Sequence, residues 1–520
     1  MSRAYQPDRQ FDFSAGMNEK TTRLKASPKG LYVGGDFIFT DDGAMASFDK
    51  FKTLSTGGTQ IGGQPFIFAH EEINRIRVAY IEGEGGTSSA YKDFNESGSL
   101  GAATTFATNA NTRHFVSGFM LGSTSYFNVY GDNQVVLSQN SGALSGAPQG
   151  YLVCAYHKGY IFLANKTSAT ANGANNRYST QWTYTTWPVR NDFDLGSISK
   201  GIMSLKSYRN ALWEWKSDET WVVTGEGPGT TATGGKGDFQ GHMISSSVGC
   251  PWHETIIEIE GRLWMLTNKG IRVFDGNSYT EVGTGIDLET LEVYANASSR
   301  YNYQAAAMYD SENHLYILTP PHIVYRNGIS LYANPGAAKV WAIDTRSGGV
   351  VKMSHLGNEG TNYNRVLALA MAEHYTESHS NSGRRQVWAA IADLDTDLPG
   401  DQTFYVAARR SNTFGTTPAA ATIKTRFFTA QNPESPKHTR FIDLYGSSGS
   451  SFNAATIVSE NESLSLGAQT IGSNGIKRIG IPHSFNQGTQ MIGLNLTTGA
   501  KAFTLDGVVF HSHVDEVRGN

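Results

Sequence analysis

Large apolar side chains recur along this chain in one short pattern, a turn residue followed by an apolar strand-like run. The copies are Gly159-Tyr-Ile-Phe-Leu, Asn210-Ala-Leu-Trp-Glu-Trp, Gly261-Arg-Leu-Trp-Met-Leu and Asn313-His-Leu-Tyr-Ile-Leu, at steps of 51, 51 and 52 residues. Fainter copies stand at Asn74-Arg-Ile-Arg-Val-Ala-Tyr, Ser123-Thr-Ser-Tyr-Phe-Asn-Val and Arg385-Gln-Val-Trp-Ala-Ala. A period near fifty residues matches one four-stranded sheet with its connections. Such a sheet cannot bury both faces alone, so copies must pack face to face around an axis. In Thr255-Ile-Ile-Glu-Ile-Glu-Gly-Arg-Leu-Trp-Met-Leu the alternation switches faces across Glu260-Gly261, as a tight hairpin requires. The pattern predicts an all-β fold, a β-propeller of about six or seven blades over residues 61–420.

Two regions fall outside the repeat. Residues 1–60 carry Lys20, Lys25 and Lys29, then Leu31-Tyr-Val-Gly-Gly and Asp41-Asp-Gly, and are expected to form an N-terminal arm that closes the ring or docks on a neighbour. Beyond residue 420, Lys424-Thr-Arg-Phe-Phe, Thr439-Arg-Phe-Ile-Asp-Leu-Tyr and Ala502-Phe-Thr-Leu-Asp-Gly-Val-Val-Phe are separated by stretches such as Gly446-Ser-Ser-Gly-Ser-Ser. That spacing predicts a C-terminal antiparallel β-sandwich over 421–520.

Composition narrows the function classes. Charged residues are only 17% of the 520, and Gly numbers 57, a usage that suits strands and turns rather than helices. A net charge of −4 gives no basic face for gripping nucleic acid or an anionic membrane. Met1 to Lys20 have no apolar core of a secretory signal, and no apolar run reaches the length of a membrane-spanning helix. Cys154 and Cys250, the two cysteines, are expected to be reduced, buried thiols.

Candidate chemistry is sparse. Gly225-Glu-Gly-Pro-Gly-Thr-Thr-Ala-Thr-Gly-Gly-Lys-Gly-Asp resembles a phosphate loop, but Thr230 stands where the first glycine belongs and Gly237 where Ser or Thr should follow Lys236. It is read instead as a surface loop, a candidate gate or interface element through Gly225, Gly227, Gly229, Gly234, Gly235 and Lys236. Asp393, Asp395 and Asp397 alternate as in calcium loops, but Leu398 and Phe404 occupy the positions of the required Gly and Glu. That segment is taken as a solvated turn and as a second candidate gate or interface loop. His511, His513 and Asp515 would share one strand face, which is read as a polar face rather than a metal site. The tryptophans are assigned to the core by default, with Trp187 and Trp252, beside Pro188 and Pro251, the expected exposed pair. No catalytic residue, cofactor or metal is assigned.

Three segments resemble the β-propeller tail nozzle or tail hub virion proteins of short-tailed bacteriophages. They are Asp12-Phe-Ser-Ala-Gly-Met-Asn with Asp41-Asp-Gly-Ala-Met-Ala-Ser-Phe; Ala147-Pro-Gln-Gly-Tyr-Leu-Val through His157-Lys-Gly-Tyr-Ile-Phe-Leu-Ala to Tyr178-Ser-Thr-Gln-Trp and Trp187-Pro; and Val248-Gly-Cys followed by Gly261-Arg-Leu-Trp-Met-Leu-Thr-Asn-Lys-Gly-Ile-Arg-Val-Phe-Asp-Gly. The chain is shorter than the largest nozzle proteins. The resemblance implies a non-enzymatic structural protein of the virion tail, assembled in the bacterial host cytoplasm. It implies a homo-oligomeric ring, usually of six copies, contacting tail tube or adaptor proteins and tail fibres or spikes. Phage DNA would pass through its lumen without sequence-specific binding; six copies would carry a formal charge of about −24, which suits a non-adhesive conduit. Two other classes use this architecture. A glycan-binding propeller would need exposed aromatics beside carboxylates on one face. A propeller hydrolase would need converging carboxylates, and the sialidase turn Ser-x-Asp-x-Gly-x-x-Trp has no copy here, Ser311-Glu-Asn-His-Leu-Tyr being the nearest.

Overall fold

The computed structural model describes residues 5–10, 13, 15–17, 30–35, 37–47, 51–53, 59–60, 66–70, 75–82, 88–95, 98–108, 112–122, 124–131, 136–138, 142–167, 171–229, 235–284, 286, 303–323, 340–353, 366–376, 384–393, 403–409, 420–428, 437–459, 462–482, 485, 491–499 and 501–514. Among them the strands sort into seven antiparallel blades and a sandwich, and helix is confined to the 3-10 turn His253–Thr255. The innermost strands of blades 1 to 7 are Phe66–His70, Thr112–Leu121, Tyr151–His157, Ser204–Tyr208, Ile257–Ile259, Tyr303–Asp310 and Val366–Thr376. Each is followed by a second strand, and all seven copies of the sequence pattern are those second strands, from Arg75–Glu82 in blade 1 to Arg384–Asp393 in blade 7. The fold is thus a seven-bladed β-propeller.

Burial explains why the second strands read as continuous apolar runs. In blade 5 (Ile257–Ile259, Arg262–Thr267, Gly270–Phe274, Tyr279–Glu281), Leu263 and Met265 pack towards blade 4, while Trp264 and Leu266 pack towards blade 6. In blade 3, Ile161 and Leu163 join the cluster shared with blade 2, and Tyr160 and Phe162 the one shared with blade 4. Successive side chains leave opposite faces of a strand, so a blade buried on both sides needs apolar residues at every position. The core of the ring lies between blades rather than within them. Blade 7 closes it, because its third strand, Thr403–Arg409, pairs with Phe51–Thr53 from the leading arm.

Thr59–Gln60 pairs with the same blade 7 strand, whereas the described strands of residues 5–47 belong to the sandwich, which is therefore discontinuous in sequence rather than confined to 421–520. Tyr5–Gln10 pairs with Gly507–Val514, Gly30–Gly35 with Thr422–Thr425, and Met45–Ser47 with Thr504–Leu505. Its core combines Phe13, Leu31 and Phe37 with Ile423, Leu444, Phe452, Leu494 and Phe510. Short parallel pairings, Gly16 with Val350 and Gly35 with Lys352, fuse one sandwich sheet to the outer strand of blade 6. Arg346 reinforces the junction, donating to Phe39 O at 3.1 Å and to Asp344 at 2.7 Å and pairing with Asp41.

One position breaks the apolar rule. Glu214 occupies the place that Leu163 holds in blade 3 and Met265 in blade 5, and it is fully buried against blade 3. Asn176 Nδ2 donates to Glu214 Oε2 at 2.9 Å, while Glu214 Oε1 and Asn176 Oδ1 both lack partners. Burial pushes the Glu214 carboxyl from 4.5 up to about 8, with Asn176 and Lys216 opposing. A protonated Oε1 can donate, so the neutral acid is the form this environment accepts. The folded-state pKa exceeds the unfolded one, so the group's stabilising contribution is complete below about pH 4.5 and is lost as pH rises through about 8. Glu214→Gln should remove that dependence. In urea titrations the variant should match the wild type near pH 4.5 and exceed it at pH 8.5, the gap growing by roughly 1.4 kcal/mol per pH unit at most; parallel curves would disprove the assignment.

Candidate functional site

Antiparallel strands alternate in direction, so the turns between first and second strands share one face of the ring with the connections between third and outer strands. On this turn face, cations in left-handed turn positions clasp the next blade. Lys158 (φ 48°) begins the two-residue turn of blade 3, and its Nζ donates to Gly225 O at 2.8 Å and to Glu226 Oε1 at 2.7 Å in blade 4. Arg209 (φ 47°) holds the same position in blade 4, and donates to Gly261 O at 3.0 Å and to Asp275 O in blade 5. The following turn, Glu260-Gly261, has φ values of 49° and 71°, the paired left-handed geometry of a tight hairpin.

The glycine-rich loop joins the third strand of blade 4, Thr220–Thr224, to its outer strand, Gln240–Ser245. Its stems are docked on blade 3. Tyr160 OH donates to Glu226 O at 3.2 Å and accepts from Gly229 N–H at 2.7 Å, Gly235 N–H donates to Asn191 Oδ1 at 2.8 Å, and Tyr178 OH donates to Gly235 O at 2.5 Å. The Glu226 and Gly227 amides donate to Asp238 Oδ1 at 2.7 and 2.6 Å, holding that carboxyl below its usual range. Among the described residues of the loop, the Glu226, Gly227, Gly229 and Gly235 amides are thus already engaged. Lys236 follows the docked Gly235, and Gly234 lies outside the described residues.

The second candidate gate or interface loop follows Asp393, which ends the second strand of blade 7 at the end of the blade opposite the turns; Asp395 and Asp397 lie outside the described residues. His511 Nε2 lies 2.9 Å from Asp443 Oδ2, a carboxylate also held by Arg478 at 2.7 Å. Asp515 and the His513 side chain lie outside the described residues, among which no group of three metal-ligating side chains occurs. Cys154 and Cys250 are buried and not joined in a disulfide.

The tryptophan expectation needs correction. Trp252 is only 2% exposed, packed between blades 5 and 6, because the chain there runs inward to the axis. Trp187 is half-buried, its Nε1 donating to Tyr184 O at 2.7 Å. Trp182, in the same loop, is instead 63% exposed. Its left-handed conformation was not readable from sequence.

Near the axis, blades 4 and 5 meet through Lys206, His253 and Glu254. Leu205 N–H donates to His253 Nδ1 at 3.3 Å, which makes that nitrogen an acceptor. Loss of hydration pushes Glu254 up to about 8 and His253 down to about 3, with Lys206 also lowered. At this junction burial favours the neutral forms of Glu254 and His253.

On the outer rim, the edge strand Gln240–Ser245 exposes Met243 (47%) and Ile244 (40%). Gly241 packs so closely on Leu195 that an added Cβ would lie 2.1 Å from its Cδ2, bringing this edge beside the segment that carries exposed Ile198. Five of the six exposed large apolar side chains among the described residues, Trp182, Val189, Ile198, Met243 and Ile244, lie on blades 3 and 4.

Fold and site together define a seven-bladed propeller with a discontinuous sandwich and an apolar rim on two adjacent blades. No protein-family model matches the chain, and no curated protein matches it in sequence. Among solved structures it is similar to an exo-β-1,3-galactanase from Phanerochaete chrysosporium determined with galactose, at 10% identity and TM-score 0.23, covering 86% of this chain and 81% of that one. It is also similar to the Pan2 WD40 domain from Neurospora crassa, at 10% identity and TM-score 0.33, covering 67% of this chain and 90% of that one. At such values neither likeness bears on what this chain binds or does.

The docked stems give a stability test. Gly227 has φ 76°, and a Cβ there would come within 2.4 Å of the Phe239 ring. Gly227→Ala should cost about 1–3 kcal/mol in chemical denaturation. Lys158→Met, which breaks the clasp at a partly buried site, should cost about 1 kcal/mol. Wild-type stability in both variants would mean that the loop is not docked in solution.

Proposed function

We propose that this chain is a non-enzymatic structural protein of a bacteriophage tail. In this reading it forms a ring, of six copies, at the distal tail that retains and then conducts DNA. The observation that carries the reading is the rim of blade 4. Gln240–Ser245 is a sheet edge whose outward side has no strand among the described residues, and it bears Met243 and Ile244 in solvent. An apolar edge strand invites pairing, and monomeric proteins usually blunt such edges. A neighbouring copy in a ring would cover it. The resemblance of the Val248-Gly-Cys and Gly261–Gly276 segments to tail nozzle and hub proteins supports the same assignment; the first lies in the connection from this rim to blade 5 and the second in blade 5 itself. The net charge of −4 suits a protein that lets a polyanion pass without holding it.

Light scattering with negative-stain imaging, alone and with a tail-tube protein, tests the reading. The wild type should form a ring by itself or on its partner. Met243→Lys combined with Ile244→Lys should stay monomeric while keeping its thermal midpoint within about 3 °C, as surface substitutions do. A chain that remains monomeric under both conditions, or a doubly substituted chain that still forms rings, would overturn it.

A further inference from the structure

We propose that Trp182 is the floor of a saccharide-binding site on the turn face of blade 3, taking one pyranose ring of a neutral glycan. This goes beyond the structural role above and does not depend on it.

The first argument is conformational. Seven described non-glycine residues have positive φ, and Trp182 (φ 58°) is the one with an apolar side chain. A bulky residue in the left-handed region costs of order 1–3 kcal/mol and persists where its surroundings fix it. Here they do. Thr180 and Thr183 pair as an isolated bridge around it, and Trp182 N–H donates to Gly159 O at 2.8 Å. The indole rests against the blade 3 turn so closely that a Cβ on Gly159 would lie 2.8 Å from Trp182 Cε2. A seated ring that remains 63% exposed is a rigid flat surface turned to solvent.

The second argument is the chemistry around it. Gln181 Nε2 donates to Lys158 O at 3.0 Å, and Lys158 Nζ pairs at 2.7 Å with Glu226, whose side chain is 71% exposed. Thr183, Thr185 and Thr186 on the same loop are exposed as well. An exposed aromatic plane whose own loop carries three exposed threonines, with the Glu226 carboxylate on the same face of the ring, suits a ligand with one apolar face and polar edges, which describes a pyranose. The Lys158 ammonium is already engaged by Gly225 O and Glu226. Val189 is the one other exposed large apolar side chain of the loop, against Thr183, Thr185, Thr186 and Arg190.

The test uses the full-length chain. Glucose, galactose, mannose, N-acetylglucosamine and their disaccharides are titrated while tryptophan fluorescence is followed, with calorimetry to give stoichiometry. Trp182→Gly suits the left-handed backbone and so leaves folding intact; Trp182→Phe keeps a planar ring. At least one sugar should bind one-to-one and perturb fluorescence. Trp182→Gly should weaken it roughly tenfold or more, Trp182→Phe by less, and Glu226→Gln should shift the preference among sugars. The proposal fails if no sugar of the panel binds, or if Trp182→Gly binds as the wild type does. It fails equally if Trp182→Gly alters only the solution mass, which would make the ring a subunit contact.

Discussion

Every blade of this protein has two apolar faces and no means of burying either alone. That constraint governs the rest of the structure. Leu263 and Met265 depend on blade 4 and Trp264 and Leu266 on blade 6, so stability resides in the junctions. A junction array on an open ring would leave two faces in water. Closure is therefore obligatory, and Phe51–Thr53 supplies it by pairing with Thr403–Arg409. The cation clasps at Lys158 and Arg209 fasten junctions that apolar packing already defines.

This division of labour shows in what the sequence reveals. The fifty-residue pattern marks all seven second strands because a doubly buried strand has almost no freedom in residue type. One departure in register is informative. The Asn313 copy starts two residues before the paired strand, because the blade 6 turn spans Ser311 to His314 whereas the turns at Lys158, Arg209 and Glu260 have two residues. The part of the leading arm that joins the sandwich is hidden for a different reason. Its strands pair with residues hundreds of positions away, such as Tyr5 with His513, and no local periodicity encodes a partner at that distance.

The candidate sites divide along the same line. The glycine-rich loop stands out by composition, but its docking depends on Tyr160, Tyr178 and Asn191 of another blade. Nothing in the local sequence ranks Trp182 above Trp252 for exposure, and Trp252, beside Pro251, even looks the more exposed. Their opposite fates follow from where the chain runs: Trp252 precedes the 3-10 turn leading to the axis, while Trp182 caps a loop on the outer surface of the turn face. Glu214 was legible as a departure from the repeat, though not as a buried acid, since its meaning requires Asn176 of the preceding blade.

The shared sandwich has a consequence for biosynthesis. The strands of residues 5–47 leave the ribosome hundreds of residues ahead of their partners near 422–425 and 504–513. At about 5–20 residues per second, the earliest strands wait roughly 25–100 s for pairing. Blades can form in order during that interval and the ring can close once Thr403–Arg409 has emerged, but the sandwich waits for residues 504–513. The sandwich is thus a topological check on everything between its halves: a polypeptide cut short before residue 504 leaves the strands of Tyr5–Gln10 and Met45–Ser47 without their partners.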